Sequence, residues 1–227
     1  MALDNNIKTK QLQLLLNEFE LMSKTALTQF QITSKLLEDN SLESLYEEAE
    51  ANEMIMDRLD VKIREEVVFT IFQFNPMAAD LRKIITYQDI TTNLERIGDM
   101  LLNIIHFLGD IHLESPVFVE IKKHLQSMFS QVGEMMRNAI FCFSNEDSVV
   151  AYQVIAADDK VDEEYRTIRS ILQEIFANKL LDKSEIKNIM TINAIAHNLE
   201  RVGDSTTNIA ESAIYLADGK DIRHGNK

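Results

Sequence analysis

Apolar residues recur along this chain at alternating intervals of three and four, the spacing that lines one face of an α-helix. The cleanest series is Ile90, Leu94, Ile97, Leu101, Ile104 and Leu108. Before it, Leu12, Leu16, Phe19, Ala26, Phe30 and Leu37 stripe a helix over roughly 5–39, and Met56, Leu59, Ile63 and Val67 stripe one over roughly 41–74. After it come three more seams: Ile121, Leu125, Met128, Val132, Met135 and Cys142; Val154, Val161, Tyr165, Ile168, Leu172 and Ile175; and Ile195, Leu199, Val202, Ile209, Ala213 and Leu216.

The breaks between seams carry stop and start residues: Asp39-Asn40-Ser41, Asn75-Pro76, Gly109-Asp110, Ser115-Pro116, Ser144-Asn145, and Asp182 or Ser184. At the second break Asn75 is expected to cap the third helix and Pro76 to take its first position. Six glycines and two prolines leave little material for other turns, so the fold class is all-α. Short connections force antiparallel neighbours.

A second pattern lies over the first. Asn93-Leu94-Glu95-Arg96-Ile97-Gly98-Asp99 returns as Asn198-Leu199-Glu200-Arg201-Val202-Gly203-Asp204, an offset of 105 residues. The same offset carries Asn103 onto Asn208, Glu53 onto Asp158 and Asp57 onto Asp162 without a gap. A period this long means two copies of one supersecondary unit. The expected architecture is therefore two tandem, pseudo-twofold-related three-helix bundles, residues 1–110 and 111–218, and the polar tail 219–227 is expected to fray.

On a helical wheel Glu95, Asp99 and Asn103 form one stripe, opposite their own seam, and Glu200, Asp204 and Asn208 do the same. If each hairpin turns at its break, Glu53 stands level with Asp99 and Asp57 with Glu95, and Asp158 stands level with Asp204 and Asp162 with Glu200. Four carboxylates around one shallow surface groove repel each other unless protons or cations intervene. Oxygen-preferring ions such as iron, manganese, magnesium, calcium or zinc relieve that repulsion. The candidate ligands are Glu53, Asp57, Glu95, Asp99, Asn103, Asp158, Asp162, Glu200, Asp204 and Asn208. The competing reading is a solvated acidic face, with Arg96 and Arg201 as its structural partners. Gly98 and Gly203 each cost a helix about 1 kcal/mol, which a close approach by another helix would explain. His197 stands near Glu200, but its counterpart is Thr92, so it is a surface residue or an accessory ligand.

Charge narrows the partners. Thirty-seven acidic against 23 basic residues give a net charge of −14, with basic residues clustered only as Arg82-Lys83 and Lys122-Lys123. Nucleic acid is excluded as an expectation. A single cysteine, Cys142, reads as a seam residue in a reducing compartment. No run reaches the roughly 18 apolar residues of a membrane span. Met1-Ala2-Leu3-Asp4 lacks the basic start of a secretion signal, and the expected location is the cytosol.

At these residues the sequence resembles the PhoU family, with Asn75-Pro76-Met77-Ala78-Ala79-Asp80-Leu81-Arg82 similar to its turn into the third helix and Asn208-Ile209-Ala210-Glu211 to its closing signature. All eight acidic positions of that family's paired motifs are filled; one departure is that the second half has Leu181-Asp182 where the first has Pro76. The resemblance implies surface iron or zinc clusters and a homo-oligomer, typically a homodimer. It implies an adaptor without enzymatic activity between the ATPase subunit of an ABC phosphate importer and a sensor histidine kinase, placing the chain in the cytoplasm and, through partners, at the inner face of the membrane. A carboxylate di-iron oxidase needs inward Glu-x-x-His pairs, which the chain lacks. A structural bundle that binds nothing is the third alternative.

Overall fold

The computed structural model describes residues 2–223 as six helices: α1 (Ala2–Glu38), α2 (Glu43–Phe74), α3 (Ala79–Asp110), α4 (Pro116–Asn145), α5 (Ser148–Asn178) and α6 (Lys183–Asp218). Helices α1, α2 and α3 pack on one another, as do α4, α5 and α6, while α3 against α6 and α1 against α4 join the halves. Every residue of the Ile90 to Leu108 seam is fully buried. In α1 the stripe is rotated: Leu15 and Met22 are fully buried while Leu12 and Leu16 are only partly covered. That helix faces both α2 and α3, so its buried face is wider than one seam.

The starts of α4 and α6 are capped as expected, whereas the breaks on either side of α2 are not. Ser115 accepts from the Phe118 N–H at 3.3 Å with Pro116 behind it, and Asp182 forms a full capping box with Glu185. Asn75, however, ends α2 instead of starting α3: it sits in the left-handed region at φ 42° and donates its N–H to the Ile71 carbonyl. Asn tolerates that conformation, and a proline just beyond bars the helix from continuing. Pro76 is thus a stop signal, and α3 begins only at Ala79. Asp39 accepts from Ser41 and caps nothing, while the Asn40 amide donates to the Leu108 and Ile111 carbonyls at 2.7 and 3.0 Å, closing the end of α3.

Helices α3 and α6 run antiparallel. Lys187 meets Asp110 at 3.5 Å at one end, and the Arg82 guanidinium lies 5.5 Å from the Tyr215 ring centroid at the other. The two hairpin turns, 75–78 and 179–182, therefore lie at opposite ends of the molecule, and the acidic stretches lie near mid-length. The tail does not fray as far as 223: Ile222 packs on the core and Arg223 pairs with Asp221 and, at 3.4 Å, with Asp89. Residues 224–227 of the predicted tail lie outside the described residues.

Aromatic rings tie the halves together. Phe19 of α1, Tyr87 of α3 and Phe143 of α4 contact one another with centroids 5.6, 4.8 and 5.3 Å apart. Burial pushes the Tyr87 hydroxyl up to about 12. Cys142 is buried as expected, its thiol pushed up to about 12 by desolvation, which leaves it unreactive. Because one core runs through both repeats, Phe143→Ala should cost about 3–5 kcal/mol. Urea melting should show one displaced transition and no separate melting of the second half.

Candidate functional site

The two helical glycines form the floor of the site. A Cβ at Gly98 would stand 2.8 Å from Met56 Cε and 3.0 Å from Glu53 Oε2; one at Gly203 would stand 3.3 Å from Asp158 Oδ1 and 3.5 Å from Val161 Cγ1. The absent side chains let α2 and α5 lay an acid directly on the backbone of α3 and α6. This is the close approach that the cost of two helical glycines predicts.

The register matches as well. Asp99 lies within hydrogen-bonding range of Glu53, and Asp57 acts on Glu95; Asp204 acts on Asp158, and Asp162 on Glu200. Each hairpin assembles its own quartet of carboxylates. Placement relative to solvent is the correction: these acids do not all face away from the core. Glu53 is only 8% exposed, and Glu95, Asp158, Asp162 and Glu200 are half-buried, while Asp57, Asp99 and Asp204 are exposed. A wheel locates a side chain against its own seam and ignores the wall that the neighbouring helix supplies.

Neither Glu53 oxygen receives a hydrogen bond from any donor. Asp99 beside it is another acid, so a bond between them requires one of the two to hold a proton. Desolvation first, then Asp99, Asp57 and Glu95, push Glu53 up to about 8. Desolvation first, then Asp99, Asp60 and Asp57, raise Glu95, against which Arg64 pulls down. In the second quartet, desolvation followed by Asp204 and Asp162 pushes Asp158 up to about 6 and Glu200 up to about 7.

Several neighbours are not apparent from the repeat. Asp60, buried and 2.8 Å from Arg64, adds its charge to Glu95, but its position in the second half is Tyr165. Thr207 favours ionised Asp158, yet its buried hydroxyl has no partner in hydrogen-bonding geometry. Arg201 is exposed and its charge favours ionised Glu200. Arg96 is exposed too, and the guanidinium that acts on the first quartet belongs to Arg64. His197 Nδ1 stands 3.5 Å from Glu200 Oε2, its ring stacked on Tyr165. Asn103 is exposed one turn beyond Asp99, and the Asn208 amide reaches 3.4 Å across to Asn93 Oδ1 between the halves.

Among known families, residues 19–108 and 125–213 each match the PhoU domain. The chain belongs to the PhoU family. It is 33% identical over 177 residues to the phosphate-specific transport system accessory protein PhoU homologue 1 of Thermotoga maritima, covering 77% of this chain and 73% of that one. It is 34% identical over 172 residues to the corresponding PhoU homologue of Pseudomonas aeruginosa, covering 74% and 68%. The crystal structure of PhoU from P. aeruginosa superposes with a TM-score of 0.83 at 28% identity over 93% of this chain and 99% of that one. The phosphate transport system regulatory protein PhoU of Streptococcus pneumoniae, at 19% identity, shares the fold with a TM-score of 0.70 over 96% and 98%.

The donor set fits an oxygen-preferring cation, and an orphaned buried carboxylate over a helical glycine is the observation that speaks for one. Among the described residues, however, no three His, Cys, Asp or Glu side chains converge closely enough to hold an ion as they stand. Binding would require side-chain rotation, which the exposed Asp57, Asp99 and Asp204 can supply.

The raised acids make stability depend on pH with a definite sign. Between the ordinary value of 4.5 and about 8 the native state keeps a proton on Glu53 that the unfolded chain has lost, so stability falls as pH rises through that window. In chelator, the melting temperature should fall between about pH 5 and about pH 8. Glu53→Gln, whose amide can donate to Asp99, should flatten that slope and stabilise the chelated protein by roughly 1–3 kcal/mol near pH 8. A melting temperature indifferent to pH in both proteins would contradict the electrostatics described.

Proposed function

We propose that the chain is a metal-binding regulator of phosphate uptake and phosphate-starvation signalling, working by protein contact and not by catalysis. The single observation that carries the metal reading is Glu53: a buried carboxylate without a donor, held among three other acids, with a second quartet one repeat away. Such a site is costly when empty of positive charge and stabilised when an ion neutralises it. Glu53, Asp57, Glu95 and Asp99 would hold one cluster, and Asp158, Asp162, Glu200 and Asp204 the other, with iron or zinc the favoured ions. A bound ion would supply positive charge and rigid bridging between the two helices of each hairpin.

The phosphate reading is supported by the curated relatives, which are named accessory proteins of phosphate-specific transport systems. We place the chain as an adaptor between the ATPase subunit of an ABC phosphate importer and a sensor histidine kinase. Exposed apolar side chains at the two hairpins favour protein contact: Phe72 and Met77 are 85% and 75% exposed at one, and Met190 is 69% exposed at the other. Leu81 and Ile85 recur one repeat later as Ile186 and Met190, so the exposure is part of the duplicated pattern. Among the described residues no helix is long and apolar enough to cross a membrane, so membrane association in this reading comes from the partners.

Metal analysis of protein purified without chelator should find iron or zinc that the double variant Asp99→Ala plus Asp204→Ala has lost. A wild-type protein that stays empty at saturating iron and zinc would remove the metal reading. Separately, the importer's ATPase subunit and the kinase should co-purify from cells grown at high phosphate, and Phe72→Glu plus Met190→Glu should release at least one of them. If neither partner is recovered at high or low phosphate, the adaptor reading fails even where metal is bound.

A further inference from the structure

The outer face of α2 carries an apolar seam separate from the one that packs the bundle. Met54, Val61 and Val68 stand seven residues apart and are 56%, 57% and 68% exposed, with Ile55 and Phe69 exposed beside them. The rest of the helix points elsewhere: Met56, Ile63 and Val67 fill the core, Lys62 reaches Glu18 of α1, and Glu53 rests on α3 at Gly98. One repeat later the three seam positions hold Asp159, Arg166 and Gln173, and Lys160 and Glu174 replace Ile55 and Phe69. The same unit thus folds with this face wholly polar, so its apolar version in the first repeat is there for something other than folding.

The spacing and the flanking charges identify what covers it. A seven-residue repeat drifts by about 20° per heptad on a straight helix, and two helices packed along such a seam absorb the drift by crossing at about 20°. The pattern is also complementary to itself. Met54 and Val68 lie seven residues on either side of Val61, and Arg58 and Glu65 lie three before and four after it. On a helical wheel the two charges fall on the same flank of the seam. Both are exposed, and among the described residues neither has an ion-pair partner.

We infer that this face is closed by a second copy of the chain, α2 against α2 in an antiparallel crossing at Val61. A two-fold axis through Val61 and perpendicular to the helix keeps each flank on its own side. It lays Val61 on Val61, Met54 on Val68, and Arg58 beside Glu65 twice over. Phe72 lies eleven residues from the axis, where the crossing helices diverge, so the hairpin tip of each copy stays free for the contacts proposed above. Five apolar side chains and two charged stems from each copy make a contact at the small end of stable interfaces, and the dimer is expected to dissociate in the micromolar range.

The test is sedimentation velocity of the full chain from about 1 to about 200 µM, in chelator so that no metal bridges exposed carboxylates of two copies. The wild type should show a monomer and dimer in equilibrium. Val61→Glu should weaken the dimer by at least about tenfold without moving the melting temperature of the dilute protein. Arg58→Glu and Glu65→Arg should each weaken it by at least about threefold, and the two combined should restore it, because the exchanged charges meet again across the axis. A chain that stays monomeric throughout overturns the inference in favour of a different partner helix on this face. A dimer indifferent to Val61→Glu overturns it by placing the contact elsewhere. A dimer that Val61→Glu breaks but the combined exchange leaves weak overturns the antiparallel register.

Discussion

Two helices can be brought together only as closely as their thickest side chains allow, and in each half of this molecule a glycine removes that limit at one point. At Gly98 and Gly203 the approach is close enough that the facing acid rests on bare backbone. Carboxylates need donors, and a helix interior offers none, because its N–H groups are already engaged along the helix. The unpartnered carboxyl of Glu53, driven to hold its proton, follows directly from that geometry. The upward shifts of Glu95, Asp158 and Glu200 are the same fact seen elsewhere in the two quartets.

What holds the glycines and acids in register is ordinary packing. The seams of α3 and α6 are buried along their length, and these two helices form the spine between the repeats. The aromatic contact of Phe19, Tyr87 and Phe143 fixes α4 against α1 and α3. A core that tolerates little rearrangement can hold a desolvated carboxyl in an unfavourable place, at a cost that counts against a small net stability.

Much of this is legible in the residues. The offset of 105, the alternating seams and the level placement of Glu53 with Asp99 need only helical geometry, and the helices bear them out. The depth of the acids is not legible, because burial of Glu53 depends on the wall that α2 and α3 make together. Asn75 and Asn40 are misread for a different reason. Asn can cap a helix start, adopt a left-handed stop or donate from its amide, and only the surroundings choose. Asp60 and Arg64 are missed because no repeat marks them, and the ring contact across the halves joins residues too far apart in the chain for any periodicity to link.

The antiparallel arrangement of α3 and α6 sends the two hairpin turns in opposite directions. A helix of the length of α3 spans about 48 Å, so the apolar tips are separated by a distance comparable to the width of a folded domain. Bodies seated on the two tips would not collide. The molecule has the geometry of a bivalent spacer, in which capture at one end raises the local concentration of whatever is tethered near the other.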